Sequence, residues 1–308
     1  MAEPGWTNGS AHATGGSRHY KLWVPTTLAR EKPAPLLVLL HGCTHDAEDM
    51  AEISGMNAVA DANQFLVAYP EQSRLANLLK CWNWFEPKHQ SRGCGEPSIL
   101  AAIVEDVRML YNVDAERVYI GGVSAGGAMA VIAGATYPDL FSGIAVAAGG
   151  EFRAATSVAG AFAVLKHGGP DPIEQGQAAF VAMKDGLARR PRHRMPLIVF
   201  HGSEDDSVNP INADQLIAQW SKTNECLAAE YGNRAFALSK RVADGKVQGG
   251  YEYHRHVYTD EAGNLLMEKW IVQGLRHAWS GSPKVHHYGD PKGPNASAEI
   301  WRFFSEVR

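Results

Sequence analysis

Arg117-Val-Tyr-Ile-Gly-Gly-Val-Ser-Ala-Gly-Gly-Ala-Met-Ala130 is the stretch that decides the fold of this chain. Its first half, Val118 to Gly121, is apolar and rich in β-branched and aromatic residues, as a buried strand is. Its second half continues as a run of small helix-compatible residues. Between them Gly122-Val123-Ser124-Ala125-Gly126 fits the pattern G-x-S-x-G. A serine hydroxyl is a poor nucleophile unless it is held exposed beside a base, and a sharp strand-to-helix turn holds it so. The cramped backbone of that turn needs glycine two residues to either side. The same turn sets the amide of Ala125 at a helix N-terminus, where it can donate to a developing oxyanion.

Outward from this turn, short apolar strands alternate with helical patterns. Tyr20 to Val24, Pro35 to Leu40 and Phe65 to Tyr69 read as strands, and Ser98 to Tyr111 as an amphipathic helix. Phe141 to Ala148 and Pro196 to Phe200 are further buried strands. Asp214 to Trp220 and Trp301 to Val307 are helices, and Tyr251 to Val272 is a hairpin turning at Asp260 to Asn264. This alternation predicts an α/β fold with a mainly parallel central sheet flanked by helices. Residues 151–195 break the rhythm with Gly168-Gly169-Pro170-Asp171-Pro172 and a basic run, and read as a helical insertion or cap after the sixth strand. Residues 1–17, rich in Gly, Ser and Ala, read as a flexible segment before a single domain over 18–308.

A chain of 308 residues with 45% hydrophobic content can bury one large core. Its net charge of −4 argues against nucleic acid as a partner. No apolar run approaches the roughly 18 to 20 residues of a membrane span, and Leu36 to Leu40 ends after five residues at His41-Gly42. As written, the first residues do not form a secretory signal, so both a secreted mature form and a cytoplasmic protein are compatible with them. The four cysteines, Cys43, Cys81, Cys94 and Cys226, have no metal-ligand spacing, and neither a metal nor another cofactor is expected. Oligomeric state is not legible.

A serine nucleophile needs a histidine base and a carboxylate that orients it. In the α/β-hydrolase arrangement they follow in the order Ser, acid, His, each beyond a strand end. The strand ending at Phe200 runs into His201-Gly-Ser-Glu-Asp-Asp-Ser-Val208, and the strand ending at Val272 runs into Gly274-Leu-Arg-His-Ala-Trp279. Ser124, Asp205 and His277 are therefore the expected triad, with Asp206 the less favoured acid. The loop Leu39-Leu-His-Gly-Cys-Thr44 supplies the second oxyanion donor, the backbone amide of Cys43, and His41 shapes that loop through its ring.

These stretches, together with Tyr69-Pro-Glu-Gln-Ser73, Cys81-Trp-Asn-Trp-Phe85, Tyr137-Pro-Asp-Leu-Phe141 and His277-Ala-Trp-Ser-Gly281, make the chain resemble the poly(3-hydroxybutyrate) depolymerase family of esterases in its single-domain form. The resemblance runs from about Ser17 to the C-terminus. It implies an α/β-hydrolase fold, hydrolysis of short hydroxyacyl polyesters or oligoesters, Ser124, Asp205 and His277 as the triad, and a Cys43–Cys81 disulfide. The chain departs from the family pattern at Thr44-His45 and Gly281-Ser282, which bears on substrate preference. Feruloyl and acetylxylan esterases are related and stand as the alternative. An acyltransferase or peptidase on the same triad is the alternative of another class. Trp82, Trp84 and Trp279 are the expected substrate-binding residues, with Trp279, two residues beyond the base, as a wall of an acyl pocket that favours short chains.

Overall fold

Strand β3 (Ala34–Leu40) is apolar at all seven positions and buried at all of them, as a strand covered on both faces must be. Its side chains alternate between two cores. Leu36, Val38 and Leu40 enter one, and Leu37 and Leu39 the other. The computed structural model, which describes residues 5–29, 31–233 and 236–307, builds a ten-stranded sheet around it. In chain order the other strands are β1 (Gly5–Ala13), β2 (Gly16–Val24), β4 (Leu66–Pro70), β5 (Val113–Val123), β6 (Ile144–Ala147), β7 (Leu197–Gly202), β8 (Ser239–Lys246), β9 (Glu252–Thr259) and β10 (Leu265–Val272). Their spatial order is β1-β2-β4-β3-β5-β6-β7-β10-β9-β8. Neighbours from β4 through β10 run parallel, and the two wings are antiparallel.

Helices cover both faces. α1 (Ala47–Ser54), α2 (Met56–Asn63) and α8 (Ala296–Glu306) close the core of Leu37 and Leu39 through Met50, Ala60, Ile300 and Phe303. α3 (Gly95–Leu110), α4 (Ala125–Thr136), α6 (Pro172–Arg189) and α7 (Ile211–Glu230) close the other through Ile103, Met129, Met183 and Trp220. Helix α4 is buried along its whole length, and its small residues let it lie close on the sheet. A Cβ on Gly134 would fall 2.2 Å from Ile144 Cδ1. Residues 151–195 hold α5 (Val158–His167) and α6. Of these, α6 packs against α7, where the Thr223 hydroxyl donates to Gly176 O at 3.1 Å.

Of the segment 1–17 that composition predicts to be flexible, residues 1–4 lie outside the described residues, and residues 5–17 are folded onto the sheet. Gly5–Ala13 pairs antiparallel with β2 along its whole length, so its backbone bonds come from its neighbour rather than from its own side chains. Trp6 packs edge-on to Trp23 at 5.3 Å, Gly9 passes over the Tyr20 ring, and the following turn is tied to α3 by Gly15 N donating to Ser98 Oγ at 3.1 Å. β8 also escapes a reading of apolar periodicity. Its sequence, SKRVADGK, is charged and largely exposed, as suits an edge strand that must not pair further. Two short strands, β11 (Trp279–Ser280) and β12 (Gly289–Asp290), form a separate parallel pair beyond β10.

Candidate active site

The turn after β5 holds Ser124 at φ 56° and ψ −123°, a left-handed conformation that a non-glycine residue adopts only under constraint from its surroundings. The constraint is close packing. A Cβ on Gly122 would lie 2.5 Å from the backbone of Gly126, and one on Gly126 would lie 2.4 Å from His41 O. Ser124 N donates to Ala147 O at 2.8 Å, which ties the turn to β6. Ala125 begins α4, so its N–H has no acceptor within the helix.

The loop after β3 passes directly beside the turn. A Cβ on Gly42 would sit 3.5 Å from Ser124 Cβ. His41 is fully buried and braces this loop: its Nδ1 lies 2.6 Å from Gly42 O, and its Nε2 accepts from Gln72 N at 3.0 Å. Burial lowers its pKa to about 4, against the Gly42 carbonyl, so the ring is neutral in both contacts. Cys43 is joined to Cys81 by a disulfide, and Thr44 N donates to Leu79 O at 2.6 Å. Cys94 and Cys226 are unpaired. Behind the loop a buried Glu96 accepts from Arg18 at 3.3 Å and from the Asn83 backbone and side chain, both at 2.8 Å, which anchors Cys81 to Phe85.

Beyond β7 the chain turns so that Asp205 Oδ1 accepts from Ser207 N at 3.0 Å and Val208 N at 2.8 Å. Its Oδ2 lies 2.8 Å from His277 Nδ1 and 3.3 Å from His201 Nε2. Burial pushes this carboxyl up, but the bonds from His201 and His277 outweigh it and hold the group well below the usual carboxylate range. Asp206, one residue on, is exposed and pairs with Arg276 instead. The loops that carry the three groups are stitched together: Ala148 N donates to Phe200 O at 2.9 Å, Ser203 N to Val272 O at 3.0 Å and Glu204 N to Leu275 O at 3.0 Å. Ser124, Asp205 and His277 thus stand at the carboxyl ends of β5, β7 and β10, the side where ligands bind in open α/β sheets. A larger groove, about 990 Å³, opens at the opposite ends of the strands around Arg117, Arg192 and Leu266, away from these groups.

A cavity of about 60 Å³ opens at Ser124, lined by Cys43, Trp84, Ala125, Gly149, Val164 and Asn212 among others. Of the three tryptophans expected to line it, only Trp84 does. Trp82 is fully buried against His41, with ring centroids 5.7 Å apart. Trp279 is not a wall of the site. It faces the core between the sheet and α8, and its indole N–H donates to Ser297 Oγ at 3.2 Å, because β11 turns that side chain inward. The aromatic residue beside the base is Tyr288, whose ring centroid lies 6.3 Å from that of His277 and 4.5 Å from that of His45. Tyr288, His201 and Asn212 carry no motif. His201 leaves one trace, a histidine at the end of a buried strand four residues before the acid.

Residues 18–243 match the family model described as Esterase PHB depolymerase, a span that holds Ser124 and Asp205, while His277 lies beyond it. The chain is 33% identical over 251 residues to poly(3-hydroxyalkanoate) depolymerase C of Paucimonas lemoignei, covering 81% of this chain and 56% of that protein, so it spans little more than half the relative's length. It is 32% identical over 206 residues to feruloyl esterase B of Neurospora crassa, covering 65% of this chain and 68% of that one. Among solved structures, acetyl xylan esterase from Aspergillus awamori superposes with a TM-score of 0.69 over 98% of this chain and all of that one. At 18% identity that likeness speaks to the fold, which is the α/β-hydrolase fold.

Proposed function

The chain belongs to the esterase PHB depolymerase family, and from that premise we propose that it is a serine esterase that cleaves short-chain carboxylic esters through an acyl-enzyme on Ser124. The observation that carries this reading is the placement of a strained serine turn and a hydrogen-bonded Asp205–His277 pair at the ends of strands of one sheet. With Nδ1–H held by Asp205, the neutral His277 ring keeps Nε2 as its acceptor. Nε2 takes the Ser124 proton as Oγ attacks the ester carbonyl, and the Asp205 carboxylate stabilises the imidazolium. The amides of Cys43 and Ala125 receive the oxyanion. The proton passes to the departing alcohol, and a water activated by the same histidine then frees the acid.

The size of the cavity supports a short acyl group. A cavity this small beside the nucleophile favours a short acyl group over a bulky one. Attack on hydroxyalkanoate oligoesters is the reading that fits the depolymerase relative. Deacetylation of a carbohydrate is the second reading, favoured by the acetylxylan esterase relatives and by the room for acetyl. Residues 18–308 act as one catalytic domain, with α5 supplying a wall of the cavity through Val164 and Leu165.

The test is a panel of p-nitrophenyl esters from acetyl to octanoyl, with methyl ferulate, acetylated xylan and hydroxybutyrate oligomers, run on wild type and Ser124→Ala. We expect kcat/KM to peak between acetyl and butyryl and to fall by octanoyl, since an apolar pocket discriminates by about 1–3 kcal/mol per methylene. Ser124→Ala loses several orders of magnitude with its fold intact. A peak at long chains, or a Ser124→Ala variant that keeps its rate, overturns the reading.

A further inference from the structure

Ester cleavage as derived above leaves one polar atom of the cavity unused. Asn212, near the start of α7, is 1% exposed and lines the cavity alongside Ser124 and Ala125. Its Nδ2 donates to Val164 O and Asn209 O, both at 3.0 Å. Two carbonyl acceptors fix the orientation of the amide, because turning it over would set its oxygen against both of them. Oδ1 is therefore the remaining atom, and it is buried with no hydrogen-bond partner in the protein. A Cβ on Gly150, another lining residue, would lie 3.8 Å from Oδ1, so the oxygen sits beside the lining at that glycine. Ala128, Ala148, Val164, Leu165 and Val208 make the neighbouring wall apolar.

Buried polar atoms are nearly always paired, so an orphaned acceptor beside a nucleophile calls for a donor on the ligand. That donor must be neutral, because no charged side chain lines the cavity. It must also sit on a small and otherwise apolar group. An aliphatic hydroxyl meets both conditions. We propose that Asn212 Oδ1 accepts a hydrogen bond from the hydroxyl of a hydroxyacyl group seated beside Ser124, so that Asn212 is the residue that selects hydroxyacyl over plain acyl esters. This rests on the esterase reading above and names the feature of the substrate that the site recognises.

The test compares p-nitrophenyl 3-hydroxybutyrate with p-nitrophenyl butyrate. Wild type should favour the hydroxy ester in kcat/KM by roughly 10-fold, the worth of one neutral hydrogen bond. In Asn212→Leu that ratio should fall to about 1. A second measurement needs no variant: free 3-hydroxybutyrate should inhibit wild-type hydrolysis of p-nitrophenyl acetate about 10-fold more strongly than butyrate does. Equal inhibition by the two acids, or a ratio that survives in Asn212→Leu, overturns the proposal while leaving the esterase intact. Failure of wild type to cleave any ester removes the esterase reading and this proposal with it.

Discussion

Asp205 and Asp206 are adjacent and chemically identical, and their surroundings separate them completely. Asp205 is buried and accepts from two backbone amides and two histidines, whereas Asp206 meets solvent and Arg276. Asp205→Asn should cost about 10³–10⁴ in kcat, because an amide offers His277 the wrong partner and the ring loses its required tautomer. Asp206→Asn should stay within a few-fold of wild type. Steady-state rates on p-nitrophenyl butyrate decide the point, and the reverse ranking would show that the orienting acid is misassigned. The preference for Asp205 was readable from position alone, since Asp206 can serve the turn before Asn209-Pro210. That His201 would share the carboxylate was not readable, because its ring reaches Asp205 only through the turn taken after β7.

At the scale of elements, the oxyanion loop is held by parts far apart in sequence. The Cys43–Cys81 bond closes a separation of 38 residues, and Gln72, Asn83 and Glu96 brace the two loops it joins. Chain entropy assigns a crosslink of this span about 4 kcal/mol. Reduction should therefore lower the urea midpoint by a corresponding amount and reduce ester turnover as the Cys43 amide loses its fixed position. A Cys43→Ser/Cys81→Ser double variant should show the same midpoint with or without reductant. Identical midpoints for oxidised and reduced wild type would show that the bond does not constrain this loop. The strand β1 makes the converse point about legibility. GWTNGSAHA has the composition of a mobile tail, yet it is ordered, because β2 supplies hydrogen bonds and Trp23 a surface that no local pattern announces.

Across the whole molecule, two buried groups set opposite limits on stability with pH. Glu151 is 1% exposed, neither carboxyl oxygen has a hydrogen-bond partner, and burial, with Asp171 adding to it, pushes its pKa up to about 8. A raised folded pKa means that the folded state holds its proton where the unfolded state has lost it. Stability is complete below about 4.5 and declines as pH rises toward 8, by up to about 5 kcal/mol. His41 acts in the other direction. With its folded pKa near 4, the unfolded state binds the extra proton between about 6.5 and 4, so acidification through that window also destabilises. Glu151→Gln should consequently raise Tm more at pH 8 than at pH 5, as differential scanning calorimetry would show, and equal shifts at both pH values would refute a buried neutral acid. Both groups are placed by contacts that cross the fold, and here the two sources of information divide. The strand–turn–helix at Ser124, the α/β alternation and the positions of Asp205 and His277 after their strands were determined by the sequence itself, because periodicity and turn chemistry act over a few residues. The inward turn of Trp279, the second histidine on Asp205, the bare oxygen of Asn212 and the burial of Glu151 were decided only by the tertiary structure. Each depends on which distant residues the strand order brings alongside, and that neighbourhood is not written in any local stretch.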